Sequence, residues 1–340
     1  VHPASSWNRT TPAAREGTAW VESPLQLLSV VEARAAGQLF ENGQILLRPG
    51  VRGLSETAAE LRRLLPASAA LTSPAREPEP PATANGVWAL GDAFSGQVQR
   101  ALLSASRCRI VIVDDGLATW RLIRLLSSPV PRPLLRARAR ANPLRSALGL
   151  AAVLRLRHAA REGRLTVFTM LPISPDLAEQ ADASGVRVVR HGFGMLRSLP
   201  GHAPPRESRI VLGTALVADG LVHRSIYLSW LDTQAKTGPL AYYPHRREDS
   251  EVLSFLDQHP RIRVISSGVP VELSLRGLGP EHTVMAPPST ALVSLRTLAK
   301  GADIRAVGLP EHWWTRRARP ALRADLSASA NFRAVNSAAN

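Results

Sequence analysis

The feature that most restricts the fold is the regular exchange of short β-prone runs with longer helical patterns along nearly the whole chain. Apolar, often β-branched runs fall at 18–21, 44–47, 87–90, 109–113, 165–168, 187–189, 209–212, 240–243, 261–265, 283–285 and 303–306. Helical periodicity fills the gaps, most clearly at 25–35, 55–64, 97–104, 221–231, 249–257 and 289–298. A strand buried on both faces reads as a continuous apolar run, and a parallel partner needs a crossover helix in between. The pattern therefore predicts an α/β protein whose parallel sheets are covered by helices. At 340 residues, two Rossmann-like domains fit better than one. The expected seam is at 200–208, where adjacent prolines at 204 and 205 interrupt any apolar period. The chain then reads as a loose tail at 1–17, a first domain at 18–203, a second at 204–326 and a loose tail at 327–340.

Composition narrows the function classes. With 45% hydrophobic and 20% charged residues, disorder throughout is excluded. Lysine plus arginine number 42 against 27 acids, a net charge of +15, and only Lys236 and Lys300 are lysines. Such a balance favours an anionic partner, although a general arginine bias would produce it too. The arginines are not interleaved with aromatic platforms, so no nucleic-acid partner is expected; a basic nucleic-acid-binding protein is the weaker alternative. The single cysteine, Cys108, excludes an internal disulfide and a thiolate metal cluster. No apolar run approaches the roughly 18 residues of a membrane span, and residues 1–16 contain no leader-like stretch. A cytoplasmic protein is the expectation. Residues 131–164 carry nine arginines against one acid, Glu162, interleaved with leucine and alanine. As a helix this segment suits peripheral contact with an anionic inner-membrane surface or a polyanion. A solvated helical hairpin on the sheet is the plainer alternative.

The chemistry concentrates just past the predicted strands, where ligands of parallel sheets bind. The run 109–113 ends abruptly in Asp114-Asp115-Gly116. Adjacent carboxylates at a strand end repel unless they are used or paired, although an acid there also caps the next helix. The strand at 240–243 leads into Pro244-His245-Arg246-Arg247-Glu248, and an imidazole there can donate a hydrogen bond or a proton. Ser266-Ser267-Gly268 follows the strand at 261–265, and Glu272 stands in the first turn of the next helix, where it can accept two ribose hydroxyls or cap that helix. Ser289 and Thr290, after two prolines, open a helix and suit one phosphate; simple capping would also explain the serine. The Gly213-Thr214 turn lets backbone approach a nucleotide.

In this order the motifs resemble the bacterial sialyltransferases of GT-B fold, and most closely the capsule polysialyltransferase-like group. Asp114-Asp115-Gly116 matches that family's acidic motif, Ser289-Thr290 its hydroxyl pair, and Tyr243-Pro244-His245 its histidine motif, with Arg246 where a proline should follow. The segments 21–28 and 213–220 add to the likeness, which spans about residues 18–300. It implies an enzyme with its active site in a cleft between two Rossmann-like domains, moving sialic acid or a related ulosonic acid from a CMP-sugar to a glycan acceptor in surface polysaccharide synthesis. The transfer would invert the anomeric carbon and need neither metal nor other cofactor. Asp115 is then the general base, with Asp114 as its substitute. His245 donates to or protonates the phosphate, which Ser289 and Thr290 bind. Gly213, Thr214, Ser266, Ser267 and Glu272 would surround CMP, Glu272 at the ribose. Arg246, Arg247 and Gln26 are candidate contacts to anionic groups of donor or acceptor. A degenerate GT-B protein that binds a sugar nucleotide without turnover is the alternative that Arg246 suggests.

Overall fold

The computed structural model describes residues 16–65, 72–83, 85–105, 107–136, 142–320, 322–324 and 326. The chain divides into two compact units, Val1–Met195 and Leu196–Asn340. In the first, strands β1 (Glu16–Val21), β2 (Asn42–Leu47), β3 (Thr72–Pro74), β4 (Val87–Leu90), β5 (Arg109–Val113), β6 (Leu165–Thr169) and β7 (Arg187–Arg190) form one sheet in the order β3-β2-β1-β4-β5-β6-β7. Every pairing is parallel, as the apolar runs predict. Helices α1 (Pro24–Ala35), α2 (Leu54–Leu64), α3 (Gly96–Ser104), α4 (Leu117–Ser127), α5 (Pro143–Arg161), α6 (Pro175–Ala183) and α7 (Gly194–Ser198) provide the crossovers and the link onward.

The second unit repeats the scheme on a smaller scale. Its strands β8 (Arg209–Leu212), β9 (Leu240–Tyr243), β10 (Ile262–Val264), β11 (Thr283–Ala286) and β12 (Asp303–Ala306) lie in the order β10-β9-β8-β11-β12, again all parallel. Helices α8 (Arg224–Lys236), α9 (Ser250–Gln258), α10 (Val271–Ser274) and α11 (Thr290–Leu298) connect them. In both sheets the first strand sits inside, the next strands run outward on one side, and the chain then returns to the other side. This creates a crevice at the carboxyl ends of β1 and β4, and another at those of β8 and β11. The doubly wound α/β architecture read from the sequence is thus present twice.

Apolar burial holds each sheet together. Trp20, Trp88, Leu90, Ile110, Ile112 and Val167 belong to a cluster on one face of the first sheet, which α3, α4 and α5 cover. Ile210, Leu212, Val284, Ala286, Leu292 and Leu295 do the same in the second. Strands β4, β6 and β9 are buried along their whole length, so their side chains remove apolar area from water on both faces.

The structure departs from the sequence reading in several places. Glu16 and Gly17 are not tail but the start of β1, paired with Asn42 and Gly43. Strand β3 has no counterpart among the predicted runs: Thr72–Pro74 is only three residues long and ends in proline, which an edge strand tolerates. Helix α8 begins at Arg224 rather than 221, because residues 215–222 close turns onto one another before it starts. Among its described residues the basic segment is helical over Pro143–Arg161; Arg138 and Arg140 lie outside the described residues, as do 1–15 and 327–340.

Candidate functional site

Each crevice gathers the polar residues that the sequence places at strand ends. In the first unit, β5 delivers Asp114 and Asp115 to opposite fates. Asp114 is wholly buried. Its Oδ1 accepts from the Thr119 hydroxyl (2.7 Å), and its Oδ2 from the Thr169 hydroxyl (3.0 Å) and the Met170 amide (3.1 Å). Burial pushes its carboxyl above the usual range, and these donors oppose that shift. Asp114 therefore joins the ends of β5 and β6 to α4. Asp115 points the other way and stays partly exposed. Its Oδ1 accepts from Gln26 Nε2 at 2.9 Å and, at the long end of bonding distance, from the Ser23 hydroxyl at 3.5 Å. Gly116 follows with φ 70°, a left-handed backbone that a side chain would strain, and it turns the chain into α4.

Gln26 is buried, and its amide is hydrogen-bonded at both ends. Its Oε1 accepts the Glu22 amide at 2.7 Å, which leaves the NH₂ group to face Asp115. Gly91, directly after β4, gives the amide its room: a Cβ there would fall 2.0 Å from Gln26 Oε1. Beside it, Glu22 Oε1 accepts from Trp20 Nε1 (2.9 Å) and the Ser95 hydroxyl (2.8 Å). Asp92 accepts the Phe94 amide and holds Arg136 at 2.5 Å. The fields of Asp92, Glu22 and Asp115 together raise Arg136 against the opposing effect of its partial burial. Glu22, Asp92 and Ser95 are residues to which the sequence reading gave no role. The signal that could have exposed them is the same strand-end rule, applied to the ends of β1 and β4.

In the second unit, the centre is a residue to which the sequence reading gave no role. Glu248 Oε2 accepts from the Thr214 amide (3.1 Å), the Tyr242 hydroxyl (3.0 Å) and the His245 amide (3.0 Å). Tyr242 donates to Glu248, so Tyr227 donates in turn to Tyr242 across 3.1 Å. Glu248 Oε1 is buried without a hydrogen-bond partner. Burial raises this carboxyl to about 7, against the pull of its donors. A Cβ on Gly213 would lie 2.0 Å from Glu248 Oε2, so that position must be glycine for the acid to reach the end of β8. The Thr214 amide, expected at a nucleotide, is bound to this acid. The Thr214 hydroxyl accepts from the Leu216 amide at 3.2 Å.

His245 follows β9. Its Nδ1 accepts the Arg247 amide at 3.1 Å, which places the proton of the neutral ring on Nε2. Burial, and then the charges of Arg246 and Arg247, push the imidazole down to about 4, while Asp219 acts in the opposite sense. The ring is therefore neutral at physiological pH and presents an N–H donor. Arg247 is bound to Asp219 at 2.9 Å, and Arg246 is exposed. Ser289 is the N-cap of α11, with its hydroxyl accepting the Ala291 amide at 3.2 Å; Thr290 is the first residue of that helix. Glu272 is buried and accepts from the Ser294 hydroxyl at 2.7 Å, tying α10 to α11. Ser266 and Ser267 sit in an exposed turn past β10, where the Ser267 hydroxyl donates to the Val269 carbonyl.

The structure thus brings Asp115 together with Gln26 and Ser23 in one unit. In the other it brings His245 together with Thr214 and Glu248. Among the described residues, no three His, Cys, Asp or Glu side chains are grouped so as to hold a metal ion.

No family model matches this chain, and no curated protein matches it by sequence. Solved structures do resemble it over most of its length. A sialyltransferase GT-B domain from Photobacterium damselae is 11% identical and covers 92% of this chain and 96% of its own, with a TM-score of 0.46. The glycotransferase of kitacinnamycin is 13% identical over 93% of this chain and 94% of its own, with a TM-score of 0.39. A UDP-glucose:anthocyanidin 3-O-glucosyltransferase in complex with UDP is 12% identical over 94% of each chain, with a TM-score of 0.43. The assignment of two doubly wound units rests on the strand orders given above.

Proposed function

We propose that this chain is a glycosyltransferase of the two-domain GT-B kind. In this reading it moves sialic acid or a related ulosonic acid from a CMP-sugar to a glycan acceptor, with inversion at the anomeric carbon. The observation that carries the reading is the division of labour between the two acids. Asp114 is saturated by hydrogen bonds inside the protein, while Asp115 stands partly exposed at the crevice with its orientation fixed by Gln26. A general base has to be accessible to the acceptor hydroxyl and held in a fixed orientation, and of the two acids only Asp115 meets both conditions.

Asp115 takes the proton from an acceptor hydroxyl as that oxygen forms its bond to the anomeric carbon. The bond from that carbon to the CMP phosphate oxygen breaks, and its electron pair stays on the phosphate. His245 then supplies the Nε2–H hydrogen bond to the departing oxygens. With its imidazole held at about 4, it acts as a neutral donor and not as a proton source, unless a bound phosphate raises it. The Ser289 and Thr290 hydroxyls and the positive end of α11 add donors to the same single phosphate. A phosphate covered in this way has its charge offset by the protein, so the reaction is proposed to need no metal. The reading requires Asp115 of one unit and His245 of the other to reach one donor molecule.

The test is release of CMP from a panel of CMP-sugars with mixed glycan acceptors. Turnover should be lost in Asp115→Ala and His245→Ala, and CMP affinity only in the latter. Release that persists in Asp115→Ala would reject this assignment of the base. One observation favours a second reading, a sugar-nucleotide binder without turnover: Glu248 occupies the Thr214 amide and sets a carboxyl at the end of β8, near where a phosphate would approach. Calorimetric CMP binding with no transfer to any acceptor would select that reading.

A further inference from the structure

The two oxygens of Glu248 live in unlike surroundings. Oε2 takes three donors, the Thr214 and His245 amides and the Tyr242 hydroxyl, whereas Oε1 is shut away from solvent with no hydrogen-bond partner. An ionised carboxylate spreads its charge over both oxygens, so enclosing one of them without donor or water is costly. A carboxylic acid fits better, because its carbonyl oxygen accepts while the other oxygen carries the proton. The asymmetry at Glu248 is that of the acid form.

The ionisable neighbours leave that choice to Glu248 itself. Burial drives its carboxyl up to about 7, against the His245 amide, the Tyr242 hydroxyl and the Asp249 and Thr214 amides. Burial also pushes the hydroxyls of Tyr242 in β9 and Tyr227 in α8 above their usual range, so both keep their protons. The His245 ring, lowered to about 4, is already neutral where Glu248 titrates. At the N-cap of α9, Asp249 is held by Arg224 of α8 through two contacts of 2.9 Å, and Arg224 also pairs with Glu251. Asp219, in the turns after β8, is held by Arg247, while Arg246 is exposed. Glu248 is thus the group of this crevice set to change charge around neutral pH.

We propose that the second crevice takes up a nucleotide phosphate together with a proton on Glu248. The inference rests on reading this crevice as a nucleotide site, and not on which sugar is transferred. The Gly213-Thr214 turn has its Thr214 amide committed to the carboxyl, so an anion arriving there meets the charge state of Glu248. Ionised, the acid repels a phosphate in a part-buried setting, where charges act more strongly than in water. Neutral, it leaves the donors assigned to the phosphate above unopposed. Linkage then works in both directions, since the bound anion tightens the proton by the same factor as the proton tightens the anion. A carboxyl at the end of β8 becomes a condition on binding and not a bar to it.

Calorimetry with the methyl ester of CMP tests it, because this phosphodiester keeps a single charge where a phosphate monoester gains a second at about pH 6. The full chain should bind the ester at least about fivefold more weakly at about pH 8.5 than at about pH 6. Near neutral pH, titrations in two buffers of unlike ionisation enthalpy should reveal net proton uptake by the parent. Glu248→Gln retains an acceptor for the three donors and stays neutral, so it should bind the ester equally at both pH values, at the parent's tighter affinity, and without proton uptake. Parent affinity that is level with pH, binding without proton uptake, or a fall that Glu248→Gln keeps in full overturns the inference and leaves the nucleotide site standing. Failure of the parent to bind either the ester or CMP at any pH rejects site and inference together. Proton uptake is read on the parent alone, so a Glu248→Gln chain that failed to fold would not shield the proposal.

Discussion

At the scale of single residues, the two aspartates after β5 should separate cleanly in experiment. Asp115→Ala should lose at least about a hundredfold in transfer rate, with a stability loss on the order of 1 kcal/mol because the buried Gln26 amide loses its acceptor. Asp114→Ala strips three buried donors of their acceptor and should cost on the order of 3 kcal/mol of stability, read by denaturant unfolding. Glu248 makes a different prediction. Its folded value of about 7 lies above the ordinary 4.5, so the folded protein binds the proton more tightly than the unfolded chain. Its contribution is then fully present below about 4.5 and is lost as pH rises to about 7. His245, lowered from 6.5 to about 4, works in the opposite sense over nearly the same window and hides the effect in the parent. Glu248→Gln removes one of the two. The stability of this variant relative to the parent should climb between pH 4.5 and 7, by on the order of 3 kcal/mol, then level off. A flat difference across that range would show that the carboxyl is ionised throughout.

At the scale of elements, the glycines that end β4 and β8 decide whether a side chain can reach the crevice. Gly91→Ala should displace Gln26 and with it the orientation of Asp115, lowering the transfer rate by about tenfold or more with a smaller effect on CMP affinity. Most elements were legible in the sequence. The bounds of β4, β5, β8 and β9 agree with the apolar runs because these strands are buried on both faces over most of their length, where composition alone marks them. Strand β3 was not legible, being a short edge strand whose Thr-Ser-Pro lacks a pattern. The candidate site was legible only as strand-end positions. Sequence showed that Asp114 and Asp115 stand side by side, but which of them is buried depends on Thr119 and Thr169, 5 and 55 residues further along. The importance of Glu248 was hidden for a similar reason. Its partners Thr214 and Tyr242 come from the loop after β8 and from within β9, and no local pattern announces such a meeting.

At the scale of the whole molecule, the two units play different parts in the proposed reaction, and hydrogen exchange can tell them apart. Saturating CMP should slow exchange of the amides around 213–217 and 289–292 in the second unit and leave 114–119 in the first unchanged. Protection confined to the first unit would reverse the proposed roles. The triple contact at Glu248 Oε2 also bears on any attempt to change which nucleotide the protein accepts. One oxygen fastens both the turn after β8 and the loop after β9, so neither can be exchanged for a homologous piece by itself. A working graft would have to travel as a cassette of Gly213, Thr214, His245 and their shared acid, with Tyr242 and Tyr227 beneath it.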